Sequence, residues 1–205
     1  MITFALISYI FVMSVTPGPN NLLLASSGVN FGYKRTVPMS LGISLGSGVQ
    51  CLIALEAFSF LMQWAAVIRL PIAVLGCVYL LWLSWMLYKA SAPDKQVRSQ
   101  PLTFWHMFFF QWVNPKAWLM AINVAVLFGA TEGNILLSNV LIAAVSSVVN
   151  YPCITLWAVL GDRLRQLLQR PRSLSIFNTV MAVMMAVTAI WLLADEVTVE
   201  AISFF

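Results

Sequence analysis

Charge is scarce in this chain. Only 11 Lys and Arg and 7 Asp and Glu stand among 205 residues, against 61% hydrophobic residues. A mean hydropathy of +0.90 lies far outside the soluble globular range and makes the chain an integral membrane protein. Cysteine is scarce too. Cys51, Cys77 and Cys153 all fall in apolar runs, odd in number and without C-x-x-C spacing or histidine neighbours. Neither a disulfide framework nor a metal site is indicated, and they read as small apolar residues. No metalloprotease, P-loop or dinucleotide fingerprint is present, and the loops are too short for a soluble catalytic domain, so no enzyme and no cofactor is implied. No basic patch is interleaved with exposed aromatics, so the pI of 9.2 gives no case for nucleic acid.

What the chain has is apolar length. Stretches at Ile2 to Ser27, Pro38 to Gln63, Leu70 to Tyr88, Thr103 to Gly129, Ile135 to Leu160 and Leu174 to Ala194 each exceed the ~17 residues that cross a hydrocarbon core. The expected fold is an all-α polytopic membrane protein with six transmembrane helices. The first stretch lacks a basic n-region and an A-x-A site and runs into a proline motif, unlike a cleaved signal peptide. Nine basic residues fall after the first, third and fifth spans: Lys34 and Arg35; Lys89, Lys95 and Arg98; Arg163, Arg165, Arg170 and Arg172. Arg69 alone lies on the other side, and the acidic tail of Asp195, Glu196 and Glu200 carries no contrary signal. The Lys/Arg-rich loops are therefore expected to be cytoplasmic, with both termini periplasmic.

The polar segment Ala90 to Pro101 divides a single 1–205 domain into halves of about 1–90 and 102–205. Three spans per half is an odd number, so a second half built like the first must sit upside down, a 3+3 inverted repeat with helices one and four broken. Phe31-Gly32 and Phe128-Gly129, which follow the two breaks at similar distances, add slight support.

The breaks are TPGPNN at Thr16 to Asn21 and QWVNPK at Gln111 to Lys116. Proline removes an N–H and clashes with the carbonyl four residues back, so Pro17, Pro19 and Pro115 free the carbonyls of Met13, Val15 and Gln111. Lipid cannot satisfy those groups, and paired breaks in two halves point to a binding cavity near mid-membrane and to a transporter. A half-helix restarts after each break, with Pro19 or Pro115 in its first turn and Thr16 or Asn114 positioned to cap it. Its positive end favours an anion, such as a substrate carboxylate. Lys116 opposes that dipole, and an unpaired ammonium at such depth costs at least ~2.5 kcal/mol, so something negative should meet it.

The candidate binding residues are Pro17, Gly18, Pro19, Asn20, Asn21, Gln111, Asn114, Pro115, Lys116 and Asn150. The half-helix N-termini and Lys116 would hold a carboxylate. The freed carbonyls of Val15 and Gln111, with Asn20, Asn21, Asn114 or Asn150, would hold an ammonium. Asn150-Tyr151-Pro152 reads as a third break, in the fifth span. Glu56 is the sole acid deep in an expected span, within ~40° of the face of Gly42 on a helix. It could pair with Lys116, receive an ammonium or carry the coupling proton; a carboxyl snorkelling from the span end fits as well. Gly42 and Gly46 suit close helix packing. His106 reads as interfacial, and the tryptophans mostly as anchors.

Taken in order, TPGPNN, Gly42 to Gly46, GCVYLLWLSWMLYKA at Gly76 to Ala90, FWHMFFFQWVNPK at Phe104 to Lys116, and Asn150 to Gly161 followed by Arg163 resemble the LysE/RhtB amino-acid exporters over nearly the whole chain. The NNLLLASS continuation looks closest to the cysteine/O-acetylserine branch, while Glu56 and Asn150 depart from the family's pattern. The resemblance implies export of amino acids from the bacterial cytoplasm by a six-helix inner-membrane protein, driven by a proton or ion gradient. A cationic side chain would need a second buried carboxylate, so small neutral amino acids are the expected substrates, cysteine/O-acetylserine-like or homoserine/threonine-like. The expected partners are that substrate, a coupling H+, membrane lipid and, as an open assembly, a homodimer. The rival readings are a passive channel and a membrane assembly subunit that uses the Gly42/Gly46 face.

Overall fold

The computed structural model describes residues 3–89, 100–130, 132–167 and 171–203, with side chains given for all of these but 59–70, 72–73, 166–167, 171, 195–196 and 198–203. Pro93, Asp94, Lys95, Arg98 and Arg170 lie outside the described residues, as do the side chains of Arg69, Asp195, Glu196 and Glu200. Among the described residues the chain forms eight helices and no strand. They are α1 (Phe4–Val15), α2 (Pro19–Phe31), α3 (Tyr33–Glu56), α4 (Phe58–Lys89), α5 (Phe104–Val113), α6 (Pro115–Phe128), α7 (Ile135–Leu167) and α8 (Pro171–Ser203).

The α1/α2 and α5/α6 pairs share an anatomy. Thr3 caps α1 by accepting from the Leu6 N–H, and Thr103 caps α5 by accepting from the His106 N–H. Each cap is followed by a Phe, each short helix ends on a Val, and each second helix starts on a Pro and ends on a Phe closed by glycine, Gly32 or Gly129. With 12, 13, 10 and 14 residues, none of the four reaches the ~20 residues that a bilayer crossing needs. Tyr33–Glu56, Ile135–Arg165 and Arg172–Ala194 are each long and apolar enough to cross alone.

Two boundaries differ from the sequence expectation. The turn after α3 falls at Ala57, not after Gln63, because no Gly or Pro marks it and hydropathy runs through it unchanged. Glu56 is therefore the last residue of α3 and exposed, not deep in a span. The third break is absent: α7 continues through Pro152. A proline frees one helical carbonyl and leaves the rest of the ladder intact, and this helix accommodates it.

Polarity runs inside out. Val126, Leu127, Leu136, Val148, Ile190 and Trp191 are exposed, whereas Asn21, Gln50, Gln111, Asn114, Asn150 and Asn178 are buried, as expected of a helix bundle whose surroundings are hydrocarbon. Helices in lipid gain little from the hydrophobic effect between themselves and associate through close packing of small residues. A β-carbon on Gly28 would collide with the Ala158 carbonyl and one on Gly161 with the Ala25 carbonyl, which locks α2 to α7. Gly42 and Gly46 lie against Phe104 and Phe108 of α5, and Gly76 against the Val113 carbonyl beside the second break. The Gly42/Gly46 face is thus filled within the chain. Helix α3 packs on α7 and α4 on α8, with Ser44 and Ser147 each donating to the other's backbone carbonyl at 2.7 and 3.0 Å.

Candidate binding cavity

Packing of α2 on α7 and of α3 on α5 and α6 brings the two helix breaks together. Asn20 and Gln111 exchange amide hydrogen bonds: Asn20 Nδ2 donates to Gln111 Oε1 at 3.0 Å, and Gln111 Nε2 donates to Asn20 Oδ1 at 3.2 Å. Asn114 Nδ2 also donates to Asn20 Oδ1, at 3.1 Å. Gln111 is fully buried, and Ser47 donates to its Oε1.

All three carbonyls freed by proline are taken by side chains. Met13 O accepts from Thr16 Oγ1 at 3.0 Å, Val15 O from Trp157 Nε1 at 3.1 Å and Gln111 O from Gln50 Nε2 at 3.0 Å. The two carbonyls expected to face a substrate ammonium, Val15 O and Gln111 O, thus each already have a side-chain donor. Buried acceptors left bare are costly, and the chain supplies a donor to each.

The two half-helix starts are not equivalent. Asn114 caps α6, its side chain accepting from the Lys116 N–H at 3.1 Å. Gly18 is the cap residue of α2, and no side chain caps that helix; Thr16, expected to do so, instead bonds back to Met13. The first turn of α2 therefore keeps N–H groups that no side chain caps.

Lys116 Nζ donates to Thr16 O at 3.0 Å, Thr16 Oγ1 at 2.9 Å and Pro17 O at 3.1 Å. The negative partner that its position requires is thus the carbonyl end of α1, where a cation suits the helix dipole. Glu56 is not that partner; it accepts from Asn139 Nδ2 at 3.0 Å. Lys116 lies across Gly18, where a β-carbon would stand 2.9 Å from its Cδ and 3.0 Å from its Nζ. The glycine is needed for this close approach; its backbone is extended, as any residue allows.

Lys116, Gly18, Pro19, Asn20, Asn21, Asn114 and Asn150 line one cavity together with Ser14, Ser47 and four apolar residues. Pro17, Gln111 and Pro115 are not part of that lining. The cavity is small, ≈ 30 Å³, room for a water or two and too little for an amino acid. Asn21 Nδ2 donates to Ser14 O and Thr16 O at 2.9 and 2.7 Å, and Asn150 Nδ2 to Ser14 Oγ at 2.9 Å. The Oδ1 atoms of both amides are buried without a partner, two acceptors in a site where native proteins rarely leave any. Sequence reasoning missed Ser14, Ser47, Gln50 and Trp157. Gln50 was visible as a polar residue within an apolar span; nothing local distinguishes Trp157 from the anchoring tryptophans.

A family model for LysE type translocators matches residues 11–196, and the chain belongs to that family of membrane transporters. Among its relatives is the cysteine/O-acetylserine efflux protein of Salmonella paratyphi A, 35% identical over 129 residues, 62% of this chain and 66% of that protein, slightly less than two thirds of its length. The proteins of the same description from Klebsiella pneumoniae and Escherichia coli K12 are 30% and 26% identical, over 80% and 88% of this chain and 83% and 93% of their own lengths. No solved structure matches the chain.

Proposed function

We propose that this protein is a secondary transporter that carries small neutral amino acids or their derivatives, of the cysteine/O-acetylserine or homoserine/threonine kind, out of the bacterial cytoplasm on the proton gradient. The observation that carries the reading is the meeting of two proline-broken helices in one polar cavity, with the positive end of α2 and the negative end of α1 side by side. A zwitterion needs both signs. The uncapped first turn of α2 suits its carboxylate, and the bare oxygens of Asn21 and Asn150, with the Thr16 and Pro17 carbonyls that Lys116 would vacate, suit its ammonium. No acidic side chain lines the cavity, which favours neutral over cationic substrates, as do the names of the relatives.

In this reading α1 with α2 and α5 with α6 each make one crossing in two pieces. With α3, α4, α7 and α8 they form six spans in an inverted 3+3 arrangement, supported by the shared Thr-Phe starts, proline restarts and Phe-Gly ends of the two broken pairs. The basic loops put both termini in the periplasm. All the cavity residues come from one chain, so a homodimer would hold two complete sites.

Purified protein in liposomes tests the function with O-acetyl-L-serine, L-serine and L-threonine. Saturable uptake that exchanges with labelled substrate and follows an imposed pH gradient is expected. Flux that neither saturates nor follows the gradient would make the protein a passive pore, and no flux with any neutral amino acid would point to an assembly subunit.

A further inference from the structure

We propose that Lys116 is the proton-coupling residue: its ammonium holds the oxygen cage at the end of α1 and covers the first turn of α2, so substrate enters only as Lys116 leaves and gives up its proton. The inference rests on reading the cavity as the amino-acid site.

Three acceptors at 2.9 to 3.1 Å surround Lys116 Nζ. An ammonium offers three N–H donors, whereas a neutral amine has two and a lone pair that would face the third oxygen. The cage therefore matches the charged form. Among the described residues the bonds of Lys116 Nζ go to Thr16 and Pro17 and to no titratable group, and Asp162 of α7 lies beside Gly32, at the other end of α2. Glu56 is held by Asn139, Tyr9 by Asn123, Cys51 by Ser146 and His106 by Thr103, and Lys116 is the single titratable side chain in the cavity lining.

Space makes the two occupants exclusive. The Lys116 side chain lies over Gly18, at the start of α2, and the remaining ≈ 30 Å³ cannot admit an amino acid beside it. Displaced from the cage, the ammonium loses the α1 dipole and its three acceptors, and an unpaired charge at that depth costs at least ~2.5 kcal/mol. Breaking one Nζ–H bond removes that cost: the electron pair stays on nitrogen and the proton passes to water on the cytoplasmic side. After reorientation the substrate departs, and Lys116 takes a proton from periplasmic water and returns to the cage. One proton moves inward for each substrate moved outward. Exchange of this kind needs the two to exclude each other, and here one cage and one glycine-lined floor enforce it.

Four lysines, Lys34, Lys89, Lys95 and Lys116, make ¹⁵Nζ-lysine NMR of the purified protein practicable, with the spectrum of Lys116→Gln assigning the signal. Saturation with O-acetyl-L-serine should turn Lys116 from ammonium to amine and release about one proton per molecule bound, as one titrating group requires. An ammonium that persists in the saturated protein overturns the proposal. If O-acetyl-L-serine does not bind, the substrate reading fails separately, and the coupling is judged without ligand: raising the pH should neutralise Lys116 and shift the ¹³C signals of the Thr16 and Pro17 carbonyls in the same step. Titration that leaves those carbonyls unmoved also overturns it. In liposomes wild type at one-to-one exchange should accumulate substrate about tenfold per unit of pH gradient. Lys116→Met should show no gradient-driven accumulation while Glu56→Gln remains coupled; the reverse pattern would return coupling to Glu56.

Discussion

The reciprocal amide pair between Asn20 and Gln111 joins the two helix breaks, and its energy can be measured. Gln111→Met keeps the side-chain volume while removing both bonds to Asn20, at 3.0 and 3.2 Å, together with those to Met107 O and from Ser47. Asn20→Leu removes the same pair from the other side, and also the bond from Asn114. Two scales compete for the magnitude. A buried donor left bare costs roughly 1–3 kcal/mol, but interhelical hydrogen bonds in membrane proteins average only about 0.6 kcal/mol, because the unfolded chain in the membrane also finds partners. The second scale governs a coupling energy, so the two bonds should contribute on the order of 1 kcal/mol. Each single variant should lose about 2 kcal/mol, since each also strands neighbouring groups. The double variant should then lose about 1 kcal/mol less than the sum. Unfolding of the wild type, both singles and the double in mixed micelles with increasing SDS reads all four corners. Additivity to within about 0.5 kcal/mol would refute the claim that this pair fastens the breaks together.

Pro19→Ala restores an N–H whose helical acceptor, Val15 O, already takes Trp157 Nε1. The break should therefore survive in Pro19→Ala and close only when Pro17→Ala and Trp157→Phe are added, a triple variant that should stay inserted and lose transport; loss in Pro19→Ala alone would give the break to Pro19. Gly28→Leu and Gly161→Leu should leave little folded protein, because each drives a side chain into a backbone carbonyl of the facing helix. Gly133→Ala meets no atom within 4 Å, although its φ of 74° disfavours a side chain, and should cost about 1 kcal/mol; equal yields of all three by fluorescence size-exclusion would contradict the packing argument. Single cysteines at Lys34 and Glu132, in a background without native cysteines, should be labelled from opposite sides of the membrane; labelling from one side would sink the six-span topology.

Much of the site was legible because proline acts locally. Pro17, Pro19 and Pro115 each remove a helical N–H whatever surrounds them, and the amides beside them stand out in an apolar chain. The repeated Thr-Phe at 3–4 and 103–104 was also present in the sequence, but two such dipeptides mean nothing until both are seen to cap helices that end at a break. Pro152 shows the limit of the same rule: a lone proline without a neighbouring glycine or second proline left α7 continuous. In the sequence Glu56 fits both a functional carboxyl and one snorkelling from a span end, because a turn without glycine or proline, at Ala57, is invisible to hydropathy.

Composition alone determined that this chain belongs in a bilayer, since so few charges cannot cover a soluble surface, and the clustered prolines marked where two of its helices stop. Which groups meet at those stops was decided by the tertiary structure. Lys116 reaches Thr16 across 100 positions of sequence, Trp157 reaches Val15 across 142, and Asn150 reaches Ser14 across 136. Partners so distant depend on how α2 settles on α7 and α3 on α5, which the glycine contacts set. That packing gives the ammonium of Lys116 to the end of α1 instead of to a carboxylate, because the oxygens of Thr16 and Pro17 are at hand there and Glu56 is bonded elsewhere.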